Sequence, residues 1–446
     1  MWFKQVLVDQ FADIRREEWF RAGLLSFFFF LIITTFWILK PLKRGVLINY
    51  FTEKPLGLFG LSLAGAESEQ VAKVLNVVVV SFVMALFTWL VRRFARHHVV
   101  LIFAILFATA FVGYAFVIEY PNELVVWSFF VLGDMFNSVF VALFWAFTND
   151  IATPEQSKRL YGIIGLGGVL GGFVGATAVR SSVADMGRSP LLLLCTVPMF
   201  LITLVAFYVH RRSARRARSP ETKTAARKTE RNAVLEGAGL VLQSRYLVAI
   251  VIIIACYELA SNIIEFQLAG TVERTIDESL EKDAFFGLVG QITGIGSILV
   301  QLLATGFVMR RFGIRTALSV LPIAILVSSA GYLVVPTLVF AAAMSASHNA
   351  LNYSIQQSAK EALYVPTSVD VTYKAKAFID MFVQRFAKVL SVAVNLTVVS
   401  VASVGIRWLS LLTLLILAVW ALQVRYVGQR YREKARTDLD LSSTIA

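Results

Sequence analysis

The 446-residue chain is predicted to be an all-α polytopic membrane protein of twelve transmembrane helices in two six-helix halves. Three observations predict this class. Hydrophobic residues make up 57 % of the chain and charged residues only 16 %, against roughly a quarter charged in a soluble domain; the mean hydropathy is +0.71. The apolar residues fall into runs of about 20, the length that crosses a bilayer as a helix. The 42 Lys and Arg outnumber the 29 Asp and Glu and cluster between those runs, as loop anchors do. A soluble enzyme, a secreted disulfide scaffold and a disordered chain are thereby excluded. Cys195 and Cys256 sit inside apolar runs, so neither a disulfide framework nor a metal site is expected. The stretch from Met1 to Arg21 is polar and of mixed charge, unlike a cleavable signal peptide.

The expected spans are about 20–50, 71–91, 99–118, 124–148, 160–180, 190–210, 246–270, 285–309, 314–335, 337–365, 378–402 and 406–426. The first is interrupted by Lys40, Pro41, Lys43, Arg44 and Gly45, which predicts a broken or kinked helix. With the N-terminus inside, the cytoplasmic segments carry Arg15/Arg16/Arg21, Arg92/Arg93/Arg96, Lys158/Arg159, the Arg211–Arg231 cluster, Arg310/Arg311/Arg315, Lys374/Lys376 and the tail from Arg425. The opposite loops hold few basic residues and many acids. Both termini are therefore expected in the cytoplasm, most simply of a bacterial inner membrane. The domains read as a half over 1–210, a basic cytoplasmic linker over 211–245, a second half over 246–436 and a tail over 437–446.

The halves echo each other. "VRRFARHH" after the second span answers "MRRFGIRTAL" after the eighth, and Lys158/Arg159 answer Lys374/Lys376 at a similar offset. Two six-span halves with a basic turn between spans two and three of each is the plan of the major facilitator superfamily. In that plan substrate binds near the midplane and access alternates by rocking. The same Arg pairs also serve as plain positive-inside anchors.

Ionisable groups inside a span are costly and usually functional or paired. The first span carries Lys40, Lys43 and Arg44, at helical spacing on one face. The fourth carries Asp134, with Asn137 one turn on. The seventh carries Glu258, Asn262 and Glu265 along one stripe. The eleventh carries Asp380, Gln384, Arg385 and Lys388. Spans one, four, seven and ten line the cavity in this architecture and eleven flanks it, while spans two, three, five, six, eight, nine and twelve read as almost free of mid-span charge. The excess of cations argues for an anionic substrate, since Arg binds phosphate bidentately and Lys as a point charge. Mutual pairing of these charges is the structural alternative.

These residues resemble a known family. "ILKPLKRGVLI" (Ile38–Ile48) is similar to the broken first span of the ATP/ADP translocase family of plastids and intracellular bacteria. "GDMFNSVFVALFWAFTNDI" (Gly133–Ile151) resembles its fourth span, and "ACYELASNIIEFQL" (Ala255–Leu268) its seventh. "KEALYVPTSVDVTYKAKAFIDMFVQRFAKVLS" (Lys360–Ser391) resembles its most distinctive stretch. The likeness covers the whole chain in order. It implies an exchanger of nucleotides whose functional charges fall on Lys43, Asp134 and Glu265, with a further lysine at Lys376 or Lys388. The chain departs from the pattern at Asp134, where Glu is usual. It also departs at Pro41-Leu42 and at Gln267-Leu268.

The expected function is a secondary transporter that moves an ATP/ADP-like nucleotide or related phosphorylated anion by exchange. The alternative is a proton-coupled exporter of a metabolite, siderophore or drug, with Asp134, Glu265 and His348 as proton carriers. The glycine-rich stretch Gly162–Ala176 lacks the G-x-G-x-x-G spacing and a preceding strand, so it reads as a helix-packing stripe. There is no P-loop, so no ATP hydrolysis is expected to drive transport, and no catalytic role is assigned. The expected partners are a small nucleotide-like anion and membrane lipids, the chain acting as a monomer. No nucleic acid, cofactor or metal is expected. The aromatics are expected mostly at lipid-facing and interfacial positions.

Overall fold

Ten helical stretches among the described residues are long and apolar enough to cross a membrane. The computed structural model describes residues 19–58, 60–151, 154–214, 230–364, 375, 376 and 378–445. At 92, 149–151, 154–162, 210, 212–214, 230–235, 310, 380, 381 and 434–445 it describes the backbone alone. Of the topology-setting basic residues, Arg15, Arg16, Lys374 and much of the Arg211–Arg231 cluster lie outside the described residues.

In chain order the helices are α1 (Trp19–Glu53), α2 (Gly65–Arg93), α3 (Arg96–Val117), α4 (Glu123–Ile151), α5 (Pro154–Met186), α6 (Ser189–Leu194), α7 (Thr196–Ala214), α8 (Glu230–Gln243), α9 (Arg245–Thr275), α10 (Ser279–Leu299), α11 (Gly306–Val334), α12 (Leu338–Leu351), α13 (Gln357–Ala362), α14 (Gln384–Leu396) and α15 (Leu409–Ile445). Between α1 and α2 stands a small antiparallel hairpin, β1 (Leu56–Leu58) and β2 (Leu61–Leu63), with Leu56 opposite Leu63.

The described residues form two compact units. The first draws on Met1–Ser219 and Val272–Ile298, the second on Pro220–Thr271 and Leu299–Ala446. The first is centred on α1, which packs most extensively on α5 and then on α4. The expected break in the first span is absent, because α1 runs unbroken from Trp19 to Glu53 with Pro41 inside it. Proline costs one hydrogen bond and a clash with the preceding turn, and burial of both flanks on α4 and α5 offsets that cost. The glycine stripe is the packing device expected. A Cβ on Gly167, Gly171 or Gly175 would run into the α1 backbone at Ser26, Phe30 and Thr34. Ser26 Oγ donates to Ile163 O at 2.9 Å across the same seam.

The core of this unit is largely phenylalanine. Phe107 meets Phe136 edge-on at 5.3 Å, and Phe136 lies 4.8 Å from Phe140. Such pairs add about 0.5–1.5 kcal/mol beyond burial. At least ten of the 35 phenylalanines are almost wholly buried, Phe28, Phe51, Phe129 and Phe144 among them.

The second unit is irregular. Its helices are interrupted by four π turns, at Val300–Thr305, Asn352–Gln356, Ile379–Val383 and Thr397–Val401. The tenth and eleventh expected spans coincide with these breaks, and neither forms a continuous apolar helix long enough to count among the ten. In α11, Gly313 adopts φ 77° and separates the eighth span from the ninth. A left-handed residue at a tight turn favours glycine, which has no Cβ to clash.

Candidate functional site

In the first unit the expected cations are sorted by one residue of helix rotation. Lys43 reaches α4 and forms an ion pair with Asp134 Oδ1. Asn76 of α2 donates to Asp134 Oδ2 at 2.9 Å, and Phe130 lies 4.3 Å below the ammonium. Lys43 is 6 % exposed while the Asp134 side chain is 26 % exposed, so the pair is open on its acidic side. Gly133 makes room for it: a Cβ there would meet Lys43 Cδ at 2.8 Å.

Arg44, the next residue, points elsewhere. Its Nε donates to Glu69 Oε2 at 3.0 Å, Lys73 lies 3.3 Å from the other Glu69 oxygen, and the guanidinium stacks 4.8 Å over Phe286. Lys40 is half-buried and stands 4.6 Å over Trp37. Asn137 is half-buried one turn from Asp134. The fold thus brings Lys43 and Asp134 together and gives Arg44 a separate structural triad.

This unit contains a further buried ion pair. Arg188 Nε donates to Asp283 Oδ2 at 2.7 Å, and Asp283 is fully buried. Glu119 accepts the backbone N–H of Arg188 at 3.0 Å. Lys282 donates to Asn49 Oδ1 at 3.1 Å. Glu273 accepts from Gly65 N at 2.7 Å, Ala66 N at 2.8 Å and Thr52 Oγ1 at 2.8 Å, capping the N-terminus of α2. Carboxylates are favoured there by the orphan N–H groups and the helix dipole. Both helices begin earlier than the expected spans, at Gly65 and Ser279, so Glu69, Lys73, Lys282 and Asp283 fall near their N-terminal ends.

In the second unit Glu265 is held by neutral donors. Ser345 Oγ donates to its Oε1 at 2.8 Å and Asn349 Nδ2 at 2.9 Å. His348, fully buried, stacks on Tyr257 at 5.5 Å. Asn262 donates to the Glu258 carbonyl at 2.8 Å, a bond within the helix. Glu258 itself lines a cavity of about 190 Å³ together with Tyr257, Asn352, Gln356, Lys360 and Gln384. The charges of Lys388 and Lys360 both act on it. Arg385 is half-buried. Lys376 pairs with Glu361 at 2.6 Å, with side chains 33 % and 47 % exposed. The Asp380 side chain lies outside the described residues.

The TLC ATP/ADP transporter profile matches residues 124–345, which include α4 with Asp134 and α9 with Glu258 and Glu265. Over that stretch the chain is similar to the TLC ATP/ADP transporter family. It is also similar to ADP,ATP carrier protein 1 of Chlamydia muridarum, 26 % identical over 58 % of this chain and 56 % of the relative, and to ADP,ATP carrier protein 4 of Rickettsia felis, 22 % identical over 86 % and 85 %. The first match therefore spans little more than half the length of the relative. Among solved structures, the nucleoside transporter NupG aligns with TM-score 0.62 at 14 % identity over 91 % of this chain and 99 % of its own. A bacterial homologue of the human lysosomal transporter Spinster aligns with TM-score 0.57 at 12 % identity over 94 % and 98 %. The fold is accordingly like that of these solved transporters.

Sequence reasoning missed several polar partners. Asn76 is a lone polar residue in an apolar run, and that isolation is the signal that marks it; Ser345 and Gln356 stand among other polar residues and carry none. Asp283 and Arg188 carried no such signal, because each stands near a span end where charge is ordinary.

Proposed function

We propose that the chain is a secondary transporter that carries an ATP/ADP-like nucleotide or related phosphorylated anion across a bacterial inner membrane by exchange, with both termini in the cytoplasm. The observation that carries this reading is the Lys43–Asp134 pair: a buried ammonium whose ion-pair partner is partly exposed. A substrate phosphate that replaces Asp134 keeps Lys43 neutralised, so the cation need not stand unpaired in low dielectric. Asp134 is then satisfied by Asn76 and solvent. In the empty carrier the pair re-forms, and reorientation without substrate is disfavoured. Exchange follows from that requirement.

The remaining substrate-binding set in this proposal is Lys40, Asn137, Glu258, Asn262, Glu265, Asp380, Arg385 and Lys388, with Lys376 and Arg44 nearer the periphery of the chemistry. Glu265 accepts from Ser345 and Asn349, which hold its carboxylate in place within the second unit. Uptake of α-labelled ATP and ADP into proteoliposomes, preloaded or empty, tests the proposal. Uptake that depends on a preloaded nucleotide supports it. No uptake with folded protein in the vesicles, combined with export driven by a pH gradient, refutes it.

A further inference from the structure

The cavity beside Glu258 is too small for a whole nucleotide: its volume of about 190 Å³ falls below the roughly 300–1,000 Å³ of pockets that enclose drug-sized ligands. A single heterocycle is a better match. Its lining is dominated by carboxamides, from Asn352, Gln356, Gln357 and Gln384, with one carboxylate (Glu258), one cation (Lys360) and the ring of Tyr257. The π turn Asn352–Gln356 packs an extra residue into one helical turn and re-aims the side chains on it.

Two of these groups ask for a hydrogen-bond donor. Gln356 is 4 % exposed and its Oε1 has no partner among the described residues. A buried unsatisfied acceptor is costly unless a ligand or water fills it. Glu258, when ionised, accepts only. A phosphate brings acceptor oxygens and leaves both groups unsatisfied. The exocyclic amino group of a nucleobase brings two donors, and Asn and Gln side chains match the paired donor and acceptor on an adenine edge.

We propose that this cavity is a nucleobase subsite, in which Gln356 and Glu258 accept from an exocyclic amino group and so select amino-bearing bases over their oxo counterparts. The inference rests on the nucleotide reading above and adds to it how the base is recognised. Phosphate is left to the cations.

The test is displacement of labelled ATP from the purified full chain by ATP, dATP, ITP and tripolyphosphate. ITP carries an oxo group where ATP carries the amine. Wild-type protein is expected to require about tenfold more ITP than ATP, in line with the rejection of ligands that leave a buried polar group unpaired. dATP should match ATP, since the amine and not the ribose hydroxyl is the donor. Glu258→Gln supplies a donor to the oxo group and should narrow the ATP:ITP ratio to within about threefold. Gln356→Leu should weaken ATP and leave ITP little changed. Should one variant misfold, the other still decides.

If ITP and tripolyphosphate compete as well as ATP, the base subsite is overturned while nucleotide binding stands. A dATP deficit equal to that of ITP moves the donor to the ribose and overturns the amine assignment. An unchanged ATP:ITP ratio in both variants overturns the placement in this cavity. If folded wild-type protein binds no labelled ATP, the nucleotide reading itself fails and takes the subsite with it.

Discussion

The two units handle buried charge in opposite ways. In the first, carboxylates meet cations directly: Asp134 with Lys43, Glu69 with Arg44 and Lys73, and Asp283 with Arg188. In the second, Glu265 is solvated by the neutral donors Ser345 and Asn349, and the pairs Lys376–Glu361 and Arg430–Glu433 are exposed. The backbones differ in parallel. Straight helices pack phenylalanines in the first unit, and π turns interrupt the second. A direct pair fixes one geometry and resists loss of either partner. The contrast is between carboxylates bound directly by cations and a carboxylate that hydroxyl and amide donors also hold.

The strongest way to break this contrast is to strip one partner from the fully buried pair. Asp283→Ala leaves Arg188 uncompensated and is expected to cost about 3–5 kcal/mol, read as a large drop in the thermal midpoint in detergent. Replacing both residues, Arg188→Met with Asp283→Leu, should recover most of that loss. A single variant as stable as wild type would show that the pair does not hold the unit.

Lys43→Ala should leave the fold closer to wild type, because Asp134 is partly exposed and keeps Asn76. Nucleotide uptake should fall about a hundredfold, near 2.7 kcal/mol at 1.36 kcal/mol per decade, with stability measured alongside. Gly133→Ala pushes on Lys43 without removing it and should lower uptake by a smaller factor. Uptake equal to wild type in both variants would remove Lys43 from the site.

Within the second unit the interior polar contacts set a moderate scale. Gln267 donates to Ile406 O at 3.1 Å and to Ser410 Oγ at 2.9 Å, all buried. Gln267→Leu should therefore cost about 1–3 kcal/mol by orphaning the acceptor. The smallest effect is expected for Lys376→Ala. Its exposed pair with Glu361 is worth about 0–1 kcal/mol, so the midpoint should barely move. A large loss of uptake in that variant, without loss of stability, would promote Lys376 from surface partner to substrate ligand.

Amino-acid order was sufficient for the membrane class, the helical spans over most of the chain, the family resemblance and the short list of ionisable residues that includes Lys43, Asp134 and Glu265. Those features rest on local quantities: hydropathy over a span, helical spacing, and the cost of charge in lipid. Only the tertiary structure decided that Lys43 and its neighbour Arg44 serve different partners, because a step of about 100° around a helix sends adjacent side chains to different helices. It also decided that Pro41 sits in an unbroken helix, that π turns divide the tenth and eleventh spans, and that Gln356 and Glu258 share a cavity. Each of these depends on which distant helix supplies the contact, and pairings of that kind leave no periodic trace in the sequence.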